Sequence, residues 1–190
     1  MKFIRVVDGP ITSRWDEPRP LSNPGLWNHG SVDIGAVRSS PLLSPEGGWP
    51  YAFAIFRPEG RRDEWEDPLK NGQVLPWGNM RHDVFGAITV LKGESGYYHL
   101  FTHSYFNQVF EKEFFPKGVW HYQEEKPDRR FQLYIFHTFG SQRHVMQGEQ
   151  IGFVGNAGLS KGPHVHWTIM TGWERTKHED RIDPEKYLEA

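Results

Sequence analysis

Gly162-Pro163-His164-Val165-His166-Trp167 sets two imidazoles two positions apart in an otherwise apolar run. On a strand alternate residues share a face, so His164 and His166 point together while Val165 and Trp167 point the other way. Metal ligation, or ligation combined with proton transfer, is the chemistry such a pair suits. For a motif this short, taken alone, a histidine-lined polar surface is an equally good reading. A second candidate is His29-Gly30-Ser31-Val32-Asp33. Gly30 and the β-branched Val32 disfavour a helix, and no Glu follows the histidine, so this is not the helical HExxH pattern. In an extended segment positions i and i+4 share a face, so His29 and Asp33 could reach one ion together. Alone, the motif reads more simply as a surface turn with a capping Asp.

Together the two motifs offer two imidazoles and a carboxylate, with one histidine to spare. Structural zinc sites are closed by four protein ligands, whereas catalytic ones use three and keep a position for water. A His, Asp, His set without cysteine suits the open kind, in which zinc lowers the pKa of its water to about 7. A neighbouring imidazole would then accept a proton or steady the transition state.

The composition agrees with that chemistry. The chain has 190 residues with 10 His and no Cys, which excludes a thiol nucleophile, a disulfide scaffold and any Cys-ligated zinc. Its length fits a single domain, residues 1–190, with a core of its own. A formal net charge of −2 gives no global attraction to nucleic acid or anionic lipid. No apolar run approaches the ~20 residues of a membrane span. MKFIRVVDGPITS at the amino end is too short and interrupted for a secretory signal.

The elements that must position these residues are strands. With 20 Gly, 14 Pro and 28 aromatic residues (13 Phe, 8 Trp and 7 Tyr), the chain reads as short strands joined by turns. Residues 29–36 read as a short strand or extended turn. FGAITVLK (85–92) and GYYHLFTH (96–103) flank a Gly-Glu-Ser-Gly hairpin signal. FQLYIFHTF (131–139), the segment within 147–158 and HVHWTIM (164–170) complete the series. Asp183-Pro184 predicts an N-cap and first-turn proline for a short carboxyl-terminal helix. Two charged, turn-rich stretches, about 57–83 and 107–145 with its embedded strand, read as long insertions. The expected fold class is mainly β, an antiparallel sheet domain.

At these residues the chain resembles the LytM/lysostaphin-type zinc metalloendopeptidases, whose catalytic domain has the duplicated hybrid motif fold. WNHGSVDIGA is similar to that family's HxxxD motif, SPLLSPEGG to the hairpin after it, and GYYHLFTHS to the strand ending in its catalytic His. QGEQIGFVGNAGLSKGPHVHW resembles its carboxyl-terminal signature, and RIDPEKYL its usual ending. ITSRW resembles its opening turn without the usual Phe-Gly. The resemblance runs from about residue 9 to 188, broken by the two insertions.

That resemblance implies a Zn2+ held by His29, Asp33 and His166, with His103 and His164 beside it as catalytic residues. It implies hydrolysis of peptide bonds in bacterial peptidoglycan, in a cross-bridge or stem peptide. Strand alternation puts His99 and His103 on one face and cannot choose between them. The motif match selects His103 and leaves His99 at the rim. His82, His121, His137, His144 and His178 carry no ligand spacing and read as surface or packing residues. Trp65, Trp77 and Trp120, in or near the insertions, are candidates for lining a substrate groove.

Other readings are a catalytically inactive wall-binding or regulatory module of the same fold, and a carboxypeptidase-type zinc hydrolase. Loss of ligands would favour the former, and none is lost. Wider separation of the first His and Asp would favour the latter, and here only three residues intervene. Without a leader, action at the cell wall would need release at lysis through a holin or carriage on a virion, which suggests a phage-type bacteriolytic enzyme (an endolysin). A monomer is expected.

Overall fold

The computed structural model describes residues 2–18, 28–58, 88–104, 119–124, 131–137, 143–156, 160–172 and 180–188; of 52–58, 88, 119–124 and 131–137 it describes the backbone alone. Among the described residues, eleven strands run in chain order. They are β1 (Ile11–Ser13), β2 (Val32–Gly35), β3 (Pro41–Leu43), β4 (Gly48–Pro58), β5 (Ile88–Gly93), β6 (Tyr98–Thr102), β7 (Val119–Glu124), β8 (Phe131–His137), β9 (Gln150–Phe153), β10 (His164–Met170) and β11 (Arg181–Ile182). Nine of them form one antiparallel sheet in the order β1-β2-β10-β6-β5-β4-β8-β7, with β11 also on β10; β3 and β9 pair separately. The expected mainly β, antiparallel class is observed.

β10 is central, and its sequence explains why. Val165, Trp167 and Ile169 alternate onto one face and are fully buried there with Phe3, Ile34 and Phe101. Burying each such side chain stabilises the fold by roughly 1.5–3 kcal/mol. The opposite face of β10 is half-exposed at His164 and His166 and buried again from Thr168 to Met170. A polar window therefore opens at one end of the strand only.

Two details of the expected layout changed. The stretch 107–145 contains β8, as its sequence predicts, and also β7, and the pair extends the main sheet beyond β4. The carboxyl-terminal helix is one 3₁₀ turn, Pro184–Lys186, with Asp183 accepting from the Glu185 amide at 3.0 Å. Residues 59–87, and with them nearly all of the first insertion, Trp65, Trp77 and His82, lie outside the described residues, as does His178.

Candidate metal centre

Register places the ligand candidates in one row. His166 of β10 pairs with Asp33 of β2 on one side and with Thr102 of β6 on the other. Residues directly opposite in a sheet share a face with Cβ atoms about 5 Å apart, so Asp33 and His166 meet without further adjustment. His29 arrives differently. It precedes β2, and Gly30 has φ 64°, a left-handed conformation that costs a side-chain-bearing residue about 1 kcal/mol or more. That turn, with the His29 amide on the Glu17 carbonyl and the Gly30 amide on the Trp15 carbonyl, swings His29 over the row. The two residues do converge, through a turn and not through strand alternation.

His29 Nε2 lies 3.0 Å from His166 Nδ1 and 3.3 Å from Asp33 Oδ1, and His166 Nδ1 lies 2.7 Å from Asp33 Oδ1. Among the described residues, these three are the group whose donor atoms converge closely enough to hold a metal ion. A zinc ion at 2.0–2.2 Å from N and O donors needs them roughly 3.3 Å apart, so the trio fits after spreading by a few tenths of an ångström. The protonation pattern suits ligation too. His29 Nδ1–H donates to the Arg14 carbonyl at 3.2 Å, which leaves the Nε2 lone pair facing the other donors. Burial drives the His166 pKa down to about 4 against the opposing pull of Asp33, with His29 and Arg181 adding to the fall. Burial pushes the Asp33 carboxyl up, but the His166 and His29 rings beside it outweigh that and hold it well below the carboxylate range. At neutral pH Asp33 is therefore a carboxylate and His166 a neutral imidazole.

His164 shares the face of His166 as expected. Its Nδ1–H donates to the Gly162 carbonyl at 2.8 Å, with Ser160 Oγ at 3.0 Å. Nε2 is thereby left as the acceptor, 3.9 Å from Asp33 Oδ1. The His103 ring lies 4.6 Å from that of His164 and 5.9 Å from that of His166. His103 has φ 60°, a conformation uncommon outside glycine and found where function holds the backbone.

Expectation fails at His99. It is fully buried, not at the rim: Trp167 Nε1–H donates to its Nδ1 at 3.2 Å and its Nε2–H donates to Glu46 at 2.6 Å. The physical reason is that the pleat ends at Thr102. His99 and Phe101 follow alternation into the core, while the left-handed turn at His103 rotates that ring to the other side. The sequence reading assigned no role to Ser160, the Gly162 carbonyl or the Arg14 carbonyl; the first two lie within four residues of His164, whereas Arg14 lies 15 residues from His29 and carries no local signal. His144 lies on the surface against Glu94, in keeping with the bland reading; the side chains of His121, His137 and Trp120 are outside the description.

With the geometry in place, the fold can be compared. A zinc-containing peptidase from Vibrio cholerae superposes with TM-score 0.50 at 15% identity over 97% of this chain and 39% of its own. Csd3 from Helicobacter pylori gives TM-score 0.50 at 15% identity over 100% of this chain and 35% of its own. The fold matches that of the LytM/lysostaphin peptidases. The catalytic domain of lysostaphin from Staphylococcus simulans is similar at TM-score 0.46 and 16% identity, over 90% of this chain and 85% of its own. The chain thus spans well under half of the first two proteins. No protein-family profile matches it, and no curated protein matches it in sequence.

Proposed function

We propose that this chain is a zinc-dependent endopeptidase that hydrolyses peptide bonds of bacterial peptidoglycan. The observation that carries the reading is the convergence of His29 Nε2, Asp33 Oδ1 and His166 Nδ1 beside two further imidazoles. A zinc ion would be held by those three residues and would supply Lewis acidity and a nucleophilic water near neutral pH. The chain's own part is to hold and move protons. His164, fixed through Nδ1, has Nε2 free to take a proton from the attacking water and pass it to the leaving amine. His103, across from it, is placed to donate a hydrogen bond to the developing oxyanion. A zinc-containing peptidase with the same fold supports the metal and the reaction class; the choice of peptidoglycan rests on the sequence motifs. Action at the bacterial cell wall, as a monomer, is part of the same proposal and rests on the sequence alone. A wall-binding module without catalysis is disfavoured because the ligand row and both flanking histidines are intact.

The test is amine release from purified peptidoglycan by native, chelated and zinc-restored protein. Zinc-restored release of amino groups without reducing sugars is expected. Absence of release from every wall type, with zinc bound, would sink the reading in favour of the binding module.

A further inference from the structure

The sheet face that carries the metal row holds a second cluster at its far end. Met170 pairs with Tyr98, Tyr98 with Lys92, and Lys92 with Trp49, so these side chains share the face of His166, four residues along β10. The Gly48–Val145 bridge continues the row onto His144 and Met146. Trp49 is 38% and Met146 66% exposed. Trp49 meets the His144 ring edge-on at 4.8 Å, Tyr51 meets Tyr98 edge-on at 5.2 Å, and Lys92 Nζ lies 6.0 Å from the Tyr98 centroid. Glu94, itself exposed, holds His144 at 2.7 Å.

The geometry points to this cluster as a saccharide-binding platform for the glycan strand of the substrate, an inference that rests on the proposed peptidase reading. Aromatic faces bordered by hydrogen-bonding groups match a sugar ring, which offers a C–H face and a rim of hydroxyls. A purely apolar partner would bury the charged Lys92 ammonium and the Glu94–His144 pair away from water, which is costly. A phosphate-rich one would meet one cation and one carboxylate, with no net attraction.

Distance sharpens the inference. Four residues along β10 and three strand spacings put Trp49 roughly 19 Å from His166. An extended peptide covers at most ~3.3–3.6 Å per residue, so at least about five residues must separate the sugar from the bond attacked. The cut then falls at the distal end of a stem peptide or in a cross-bridge, not beside the sugar.

The experiment pairs NMR titration of the full chain with a soluble β-1,4-linked N-acetylglucosamine oligomer and kinetics on two substrates, a free wall peptide and the same peptide on its glycan strand. The Trp49 indole resonance should shift with the oligomer. Trp49→Ala should raise KM on the glycan-linked substrate roughly tenfold, ~1.4 kcal/mol, with kcat and free-peptide KM unchanged; Trp49→Phe should restore most of the loss. Product masses should place the cut at least about five residues from the sugar. An unmoved Trp49 resonance, an equal KM rise on both substrates, or a cut next to the sugar would overturn the platform. If neither substrate is cleaved with zinc present, the peptidase reading fails, and the oligomer titration still decides the patch.

Discussion

His164 and His166 differ by one ring nitrogen in use, and that difference assigns their work. His166 turns Nδ1 to Asp33 and His29, whereas His164 spends Nδ1 on the Gly162 carbonyl and keeps Nε2 for the site. His164→Ala and His103→Ala should therefore each lower turnover by roughly 10²–10⁴-fold, the span of a general acid–base or a hydrogen-bonding group, as measured by amine release at saturating substrate. His99→Ala should behave oppositely. It strips Glu46 of a buried partner and should cost about 3 kcal/mol in denaturant unfolding, with turnover of the folded fraction near native. Sequence alternation alone could not separate His99 from His103, because what separates them is a left-handed backbone at a non-glycine residue. No pattern of side-chain types announces that.

Among the elements, β10 was the most legible. Its apolar residues alternate strictly from Val165 to Ile169, and the core follows that alternation. β7 was not legible: VWHYQE sits in a polar stretch without turn residues tight against both ends, and only pairing with β8 makes it a strand. The turn before β2 lies between these cases. Gly30 was noticed as a helix breaker, but its structural role is the left-handed bend that brings His29 to Asp33. Gly30→Ala should cost about 1–2 kcal/mol in stability and weaken zinc binding, read by competition with a chromophoric chelator. Unchanged zinc affinity in a folded Gly30→Ala protein would show that the turn does not set the site.

The whole molecule keeps charge in its core. Glu46 enters the space left by Gly93, where a Cβ would lie 2.0 Å from Glu46 Oε1, and bonds Ser95 and His99. Burial raises the Glu46 pKa, but the hydrogen bonds from His99 and Ser95 outweigh it and leave it lowered; burial lowers that of His99 despite Glu46. Both folded groups bind protons less readily than in the unfolded chain. Stability should therefore fall as pH drops, first through the unfolded His value near ~6.5 and then through the carboxylate range. Thermal melts of the chelated protein should show this, and Glu46→Gln should shallow the lower part of the fall. The mainly β class was readable from strand-sized apolar runs between glycine turns. This buried His99–Glu46 hydrogen bond was not, since Glu46 lies 53 residues from His99 and carries no local sign of burial.

The central claim is that His29, Asp33 and His166 hold the ion while His164 and His103 work beside it. Zinc bound per chain, measured by elemental analysis after dialysis on the native protein, His166→Ala and His164→Ala, tests this directly. The native and His164→Ala proteins should each carry one zinc, and His166→Ala should carry none. Full zinc in a folded His166→Ala protein, or loss of zinc from His164→Ala alone, would contradict the ligand assignment.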